Sequence, residues 1–286
     1  MLTWYYFVII GAVFNAFALV IEKLLLKTEH ALAFSASYAL MLAILSLVFI
    51  PFANFSLTLY QWGVLFIYSV TLALAYWMAA RLFRHGSISS GAPLYNILPT
   101  VVTVVLAFIF LGETLSASRY GLIAIIVLTA FIILTLSNRH RDTKFVGHYN
   151  RVVILVALVV GINSAILKYA LDNVNIYAFI TVTSIMTAII LWAVGRERAT
   201  NKFNEFNEVK KLLAPLAAMA FLVTVYRLLL YNAVPSAPIS LVIPLNSTMA
   251  VLLNVLSGGV FFGESHIRRK LLLSAVMLIA AYFLIA

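Results

Sequence analysis

A chain of 286 residues that is 64% hydrophobic and only 10% charged lacks the polar surface a water-soluble domain requires. Its mean hydropathy of +1.09 directs it into the bilayer, the solvent that accepts apolar side chains. The absence of cysteine excludes disulfides, thiolate metal sites and cysteine nucleophiles, and despite a net charge of +10 no basic run is long enough to track nucleic-acid phosphates.

At about 20 apolar residues per crossing, ten spans follow in chain order. The start, Met1 to Tyr6, has no basic n-region of a secretory signal, so the first span is retained. The first five cover 3–26, 31–52, 60–82, 89–111 and 118–136, and the second five 152–171, 176–194, 212–234, 239–262 and 271–286. Two connections are long and polar: 137–151, and 195–211, which has the composition of a short surface helix. The first divides the chain into a five-helix unit (1–137), a loop (138–151) and a second five-helix unit (152–286). Lys and Arg crowd the odd-numbered connections, from Lys23 and Lys27 through Arg139, Arg141 and Arg196 to Arg268, Arg269 and Lys270, whereas the even-numbered ones hold only Arg119. That imbalance places the odd connections in the cytoplasm of a cell (inner) membrane and both termini outside. The histidines His30, His85, His140, His148 and His266 fall on the same cytoplasmic side.

The two units resemble each other. Phe110-Leu111-Gly112-Glu113-Thr114 recurs as Phe261-Phe262-Gly263-Glu264-Ser265, each time before the last span of its unit. Pro93 and Pro99 find a counterpart with the same spacing in Pro238 and Pro244, although that pairing leaves the distance to the Gly-Glu motif unequal. Tyr76-Trp77 with Arg81 is echoed loosely by Tyr226-Arg227. An odd number of crossings per unit makes the second enter the membrane from the opposite side. The expected fold is therefore an all-α polytopic membrane protein, ten transmembrane helices in two inverted five-helix repeats around a central cavity, an arrangement suited to alternating access.

A Gly-Glu-Thr/Ser motif closing a proline-bearing fourth span in each unit resembles the drug/metabolite transporter superfamily, EamA type. The resemblance covers nearly the whole chain and implies a ten-helix transporter or exporter of small metabolites such as amino acids. Members of that superfamily usually carry both termini in the cytoplasm, the reverse of the charge pattern here.

Gly112 and Gly263 suit helix C-termini. Glu113 and Glu264, beside the capping residues Thr114 and Ser265, are expected to set tight helical hairpins, with a gate made by pairing to a cation as the second reading. Prolines inside spans expose carbonyls that survive only against protein or a water-filled cavity, so Pro93, Pro99, Pro238 and Pro244 mark cavity walls. Asn15, Tyr76, Trp77, Tyr95, Asn96, Asn163, Tyr226, Arg227, Asn246 and Thr248 are the expected substrate contacts, with Tyr68, Thr100, Ser164, Ser247 and Asn254 nearby, although any single one of the polar groups more often serves packing. Arg227, deep in the eighth span without an acid in its own helix, suggests a cavity that draws a carboxylate or phosphate, with an arginine facing headgroups or bonded to carbonyls as the competing account. Lys168 and Asp172 form an i,i+4 pair, Glu22 beside Lys23 snorkels to headgroups, and Trp4, Tyr5 and Tyr6 anchor the interface.

The spans hold no paired carboxylates, histidine cluster or cysteine, so an enzyme is not expected. The histidines lack metal-ligand spacing and no phosphate-binding Gly-rich loop appears, so neither metal nor cofactor is expected. The expected function is a secondary transporter of a small metabolite, an amino acid or related polar or amphipathic compound. The alternative is a flippase or scramblase of lipid-linked substrates with the same fold. The expected partners are the small-molecule substrate and the bilayer, and the oligomeric state, monomer included, is left open.

Overall fold

In hydrocarbon a backbone must satisfy its own N–H and C=O groups, and a long apolar run does so by forming a helix. The computed structural model describes residues 4–26, 31–85, 88–138, 143–203, 206–264 and 266–285, with side chains for all of these except 85–94, 134–151, 153 and 196–211. His30, His140 and Ser265 lie outside the described residues. The helices are α1 (Trp4–Leu25), α2 (Ala31–Ser46), α3 (Leu59–His85), α4 (Ile88–Leu111), α5 (Ala117–Asn138), α6 (Thr143–Asn173), α7 (Ile176–Phe203), α8 (Phe206–Ala233), α9 (Ile239–Phe262) and α10 (Ile267–Ile285), and no strand occurs among the described residues. A 3-10 turn, Leu47–Phe52, extends α2.

Seven described helices are long and apolar enough to cross a membrane: α1, α2 with its turn, α3, α6, α7, α8 and α9. The apolar stretches Tyr95–Leu111 of α4 and Ala117–Ile133 of α5 are shorter, and α10 opens on Arg268-Arg269-Lys270. The two long polar connections differ from expectation. α6 already begins at Thr143, so most of 138–151 extends helices instead of looping. The stretch 195–211 is helical as expected, but as the ends of α7, which runs to Phe203, and α8, which starts at Phe206, and not as a separate short helix. Arg, Lys, Glu and Ala are good helix formers whatever their polarity, and 195–211 is rich in them, whereas 138–151 holds three arginines and one lysine.

The surface inverts the soluble pattern. Phe17, Phe108, Phe110, Leu128, Val260, Leu272 and Tyr282 point outward, while Ser35, Ser69, Thr100, Thr103, Thr183, Thr224 and Asn254 are buried. Those hydroxyls bond carbonyls one turn back in their own helix, as Ser69 does to Leu65 (2.7 Å), Thr183 to Phe179 (2.7 Å) and Thr224 to Ala220 (2.7 Å). Several also reach across an interface. Thr103 Oγ1 donates to Pro99 O at 2.9 Å and to Gly161 O at 3.4 Å, and Thr181 Oγ1 to Tyr177 O at 2.9 Å and Ser46 O at 3.1 Å.

Small residues let backbones approach. Gly11 of α1 faces Tyr226 and Leu229 of α8, Gly161 of α6 faces Val102 and Pro99 of α4, and Gly195 of α7 faces Leu32 and Ala36 of α2. α1 packs on α8 and α9, and α6 on α3 and α4; α2 pairs with α7, α4 with α9 and α5 with α10; α4 lies on α5, α9 on α10, α3 on α7 and α2 on α8.

Hydrogen bonds fix which helix ends meet. Gln61 Nε2 at the start of α3 donates to Asn173 O at the end of α6 (2.9 Å), and Lys168 Nζ to Val234 O just after α8 (3.0 Å). Lys23 Nζ, late in α1, donates to Phe83 O, late in α3. The bundle thus has one end where α1 and α3 finish and another where α3 starts and α6 and α8 finish.

α4 and α9 are each 24 residues long. Each ends on a glycine in the left-handed region, Gly112 (φ 66°) and Gly263 (φ 59°), a conformation that favours a residue without Cβ. The following N–H then bonds six residues back, Glu113 to Ala107 O and Glu264 to Gly258 O, both at 3.1 Å. Counted from these ends, Ile88-Ser89 holds the position of Ile239-Ser240, and Pro93 that of Pro244. Matching the prolines as two pairs is therefore corrected. Pro99 and Pro238 have no counterpart at the equivalent positions.

Candidate functional site

Residues three and four apart share a helix face, and these faces converge on one cavity of about 190 Å³. α3 lines it with Tyr68, Leu72, Ala75, Tyr76, Ala79 and Phe83; α8 with Met219, Val223, Tyr226, Arg227, Leu230 and Tyr231; α1 with Asn15, Ala18, Leu19 and Glu22. α2 adds Phe34, Ser35 and Tyr38, α4 adds Tyr95, Asn96 and Pro99, α6 adds Val160, Asn163, Ser164 and Leu167, and α9 adds Ile243, Asn246, Ser247 and Asn254. The volume falls below the roughly 300–1,000 Å³ usual for drug-sized ligands and suits a small molecule.

Arg227 is the dominant group. It is only 4% exposed, its Nη1 donates to Ser184 Oγ on α7 at 2.9 Å, and its Nη2 is buried without a hydrogen-bond partner. Its guanidinium carbon stands 5.9 Å from the Tyr231 ring centroid, and Tyr38, Tyr68 and Tyr76 line the same cavity. No acidic side chain pairs with it among the described residues; the ion pair seen elsewhere, Lys168 with Asp172 at 3.0 Å, lies at the end of α6. A cation buried among phenol rings attracts an anion, because a low-dielectric interior strengthens the attraction.

The neighbouring polar groups are also incompletely used. Asn246 Nδ2 donates to the Tyr226 hydroxyl at 3.2 Å, while Asn246 Oδ1 and Asn254 Oδ1 are buried with no partner. Buried polar atoms are nearly always satisfied, and each one left open costs about 1–3 kcal/mol. One open donor and two open acceptors on the walls of one cavity are what a polar ligand would engage.

Other wall residues hold the shape. Asn163 Nδ2 bridges α6 to α3 through Tyr68 O (3.1 Å) and Thr71 Oγ1 (2.7 Å). The Ser247 hydroxyl donates to Asn96 O at 2.8 Å and accepts from Thr100 Oγ1 at 2.9 Å, which ties α9 to α4. The Tyr68 and Tyr231 hydroxyls lie 2.9 Å apart and their rings flank Phe179. Tyr38 and Tyr76 rings sit 5.2 Å apart, and Phe83 and Tyr95 rings 5.5 Å apart.

Of the expected contacts, Asn15, Tyr76, Tyr95, Asn96, Asn163, Tyr226, Arg227 and Asn246 line the cavity. Trp77 does not. It packs with the apolar group around Leu32, Ala36 and Leu191, under the guanidinium of Arg81 at 4.7 Å, because the residue after Tyr76 points about 100° around the helix. Thr248 is fully buried with its hydroxyl unpartnered, away from the lining. Glu22, expected to snorkel to headgroups, lines the cavity instead. Tyr38, Tyr231 and Ser184 were not singled out from sequence. Tyr231 had a signal, standing four residues after Arg227 on the same face.

The Gly-Glu turn does more than close a hairpin. Glu113 Oε1 accepts the Ile239 N–H at 2.9 Å, and Oε2 accepts the Ser240 N–H at 3.0 Å and the Ser240 hydroxyl at 2.6 Å. Among the described residues its partners are backbone amides and a hydroxyl, not a cation.

No family model and no curated protein matches this chain. Solved structures do match: a crystal structure of a protein 14% identical in sequence aligns over 97% of this chain and 93% of its own, with a TM-score of 0.63. At that identity the likeness is one of fold alone.

Proposed function

We propose that this chain is a secondary transporter moving a small metabolite, an amino acid or related polar or amphipathic compound, by alternating access. In this reading the first and last five helices are inverted repeats about the central cavity, as in the EamA-type drug/metabolite transporters it resembles. The observation that carries it is the cavity itself: Arg227, Asn246 and Asn254 present open hydrogen-bonding atoms there, and the cation pairs with no acid among the described residues. The substrate accordingly carries a carboxylate or phosphate. The helix packing supports the repeat. Exchanging each helix with the one five places along turns α1–α8 into α6–α3, α1–α9 into α6–α4, α9–α10 into α4–α5 and α2–α8 into α7–α3, and leaves α2–α7, α4–α9 and α5–α10 unchanged, all of which are packed pairs. The Lys and Arg distribution favours a cell membrane with both termini outside.

Purified protein in proteoliposomes, offered a panel of labelled amino acids, organic acids and phosphorylated metabolites, tests the proposal. Flux above empty liposomes, lost in Arg227→Ala and reduced in Asn246→Ala, is the expected result. Flux at background across the whole panel, together with movement of fluorescent lipid between leaflets, would replace the transporter by a scramblase.

A further inference from the structure

The first N–H groups of a helix have no partner within it, and the aligned peptide dipoles make that end attractive to an anion. α9 begins at Ile239, and its first two N–H groups are taken by a carboxylate from the other set of five helices, Glu113, whose oxygens also hold the Ser240 hydroxyl. Charge-assisted bonds of this kind are about twice as strong as neutral ones. The clamp sits at the bundle end where Gln61 meets Asn173 and Lys168 meets Val234 O. Tyr68 and Tyr231, on α3 and α8, also join hydroxyls on that side of Arg227. The cavity instead extends toward the opposite end, where Glu22, Phe34 and Phe83 line it.

α4 and α9 pack on each other, with equal length, the same glycine stop and the same six-residue return bond from the glutamate. They run antiparallel, since the end of α4 meets the start of α9. In this correspondence Glu264 is the counterpart of Glu113, and the first turn of α4, from Ile88, is the counterpart of the start of α9.

We propose that Glu113 and Glu264 are paired latches, each holding the start of the fourth helix of the opposite five, and that each end of the cavity opens only when its own carboxylate lets go. In this structure the Glu113 latch is closed. The proposal rests on the transporter reading and adds how access to that site is controlled: α9 carries Asn246, Ser247 and Asn254, so releasing its start moves a cavity wall.

Spin labels test this without knowledge of the substrate, on a chain that has no native cysteine to remove. One pair, Ser118→Cys with Ser236→Cys, reports the Glu113 end, and another, Arg84→Cys with Arg269→Cys, reports the opposite end. Distance distributions are measured in lipid nanodiscs for the otherwise unaltered chain, Glu113→Gln and Glu264→Gln. Glu113→Gln is expected to raise the long-distance population at the first pair about tenfold relative to the short one, the factor one charge-assisted bond carries, and Glu264→Gln to do so at the second pair only. Should Glu113→Gln not fold, Glu113→Asp is expected to shift the first pair in the same direction less strongly. Populations unchanged by either substitution, with metabolite flux intact, overturn the latches and leave the transporter standing. A single unresponsive distance at both ends, with flux at background, overturns both.

Discussion

Replacing Gly161 by Ala tests how closely α6 must sit on α4. A Cβ built at 161 stands 2.4 Å from Val102 Cβ, 2.6 Å from Val102 Cγ1 and 3.0 Å from Pro99 O, whereas non-bonded carbons rest about 3.5–4.0 Å apart. Two of these atoms are backbone or Cβ and cannot rotate away, so the helices must part by on the order of 1 Å. Overpacking a close-fitted interior costs about 1–3 kcal/mol; the upper end applies here, and the helix preference of Ala over Gly offsets about 1 kcal/mol. The expected net loss is about 2 kcal/mol, read by reversible unfolding in mixed detergent micelles. Gly121→Ala is the control, since nothing lies within 4 Å of its Cβ, and it is expected to gain up to about 1 kcal/mol. Val102→Gly in the Gly161→Ala background should recover most of the loss. Ligand binding should fall with stability, because Pro99, Val160, Asn163 and Ser164 on these two helices line the cavity. Equal stability of the Gly161 and Gly121 variants would refute the described contact between α4 and α6.

Three further outcomes follow from other sites. Tyr68→Phe removes the 2.9 Å hydroxyl contact with Tyr231 and is expected to cost about 1 kcal/mol in the same unfolding assay. Gly112→Ala and Gly263→Ala meet open space, so their cost is backbone strain alone, about 1–2 kcal/mol each; a neutral result at both would argue against the left-handed stops. Arg227→Met keeps the side-chain bulk and removes a buried charge that pairs with no acid among the described residues. Stability is expected to be unchanged or higher, while any ligand-induced rise in melting temperature disappears. A large destabilisation would recast Arg227 as a structural group.

Much of the architecture was legible because lipid imposes a simple grammar. Apolar runs between charged or Gly/Pro punctuation mark helices, and the expected 31–52 and 239–262 coincide with α2 plus its turn and with α9. The polar stretch 138–151 misled, since α6 continues past the apolar boundary, whereas the helical character of 195–211 was legible in its composition. The cavity was legible where a polar residue is conspicuous in hydrocarbon, as with Arg227, Asn163 and Asn246. It was not legible where the decision was rotational, as between Tyr76 and Trp77, or at Tyr38 and Phe83, although the aromatic Tyr76, Tyr95 and Tyr226 were found. The glutamate of the Gly-Glu motif shows the limit differently. Its turn can be inferred from neighbours in sequence, but its bond to the start of α9 joins residues 126 apart.

The hydroxyls that reach across helix interfaces keep a second acceptor at home. Thr103 and Thr181 each hold a carbonyl in their own helix while touching one in a neighbour, and Ser35 does the same with Ala31 O and Tyr76 O. Sliding one helix past another therefore trades a forked bond for a single one and strands no polar atom in oil. These contacts act as bearings rather than rivets, giving the bundle shear at low energetic cost.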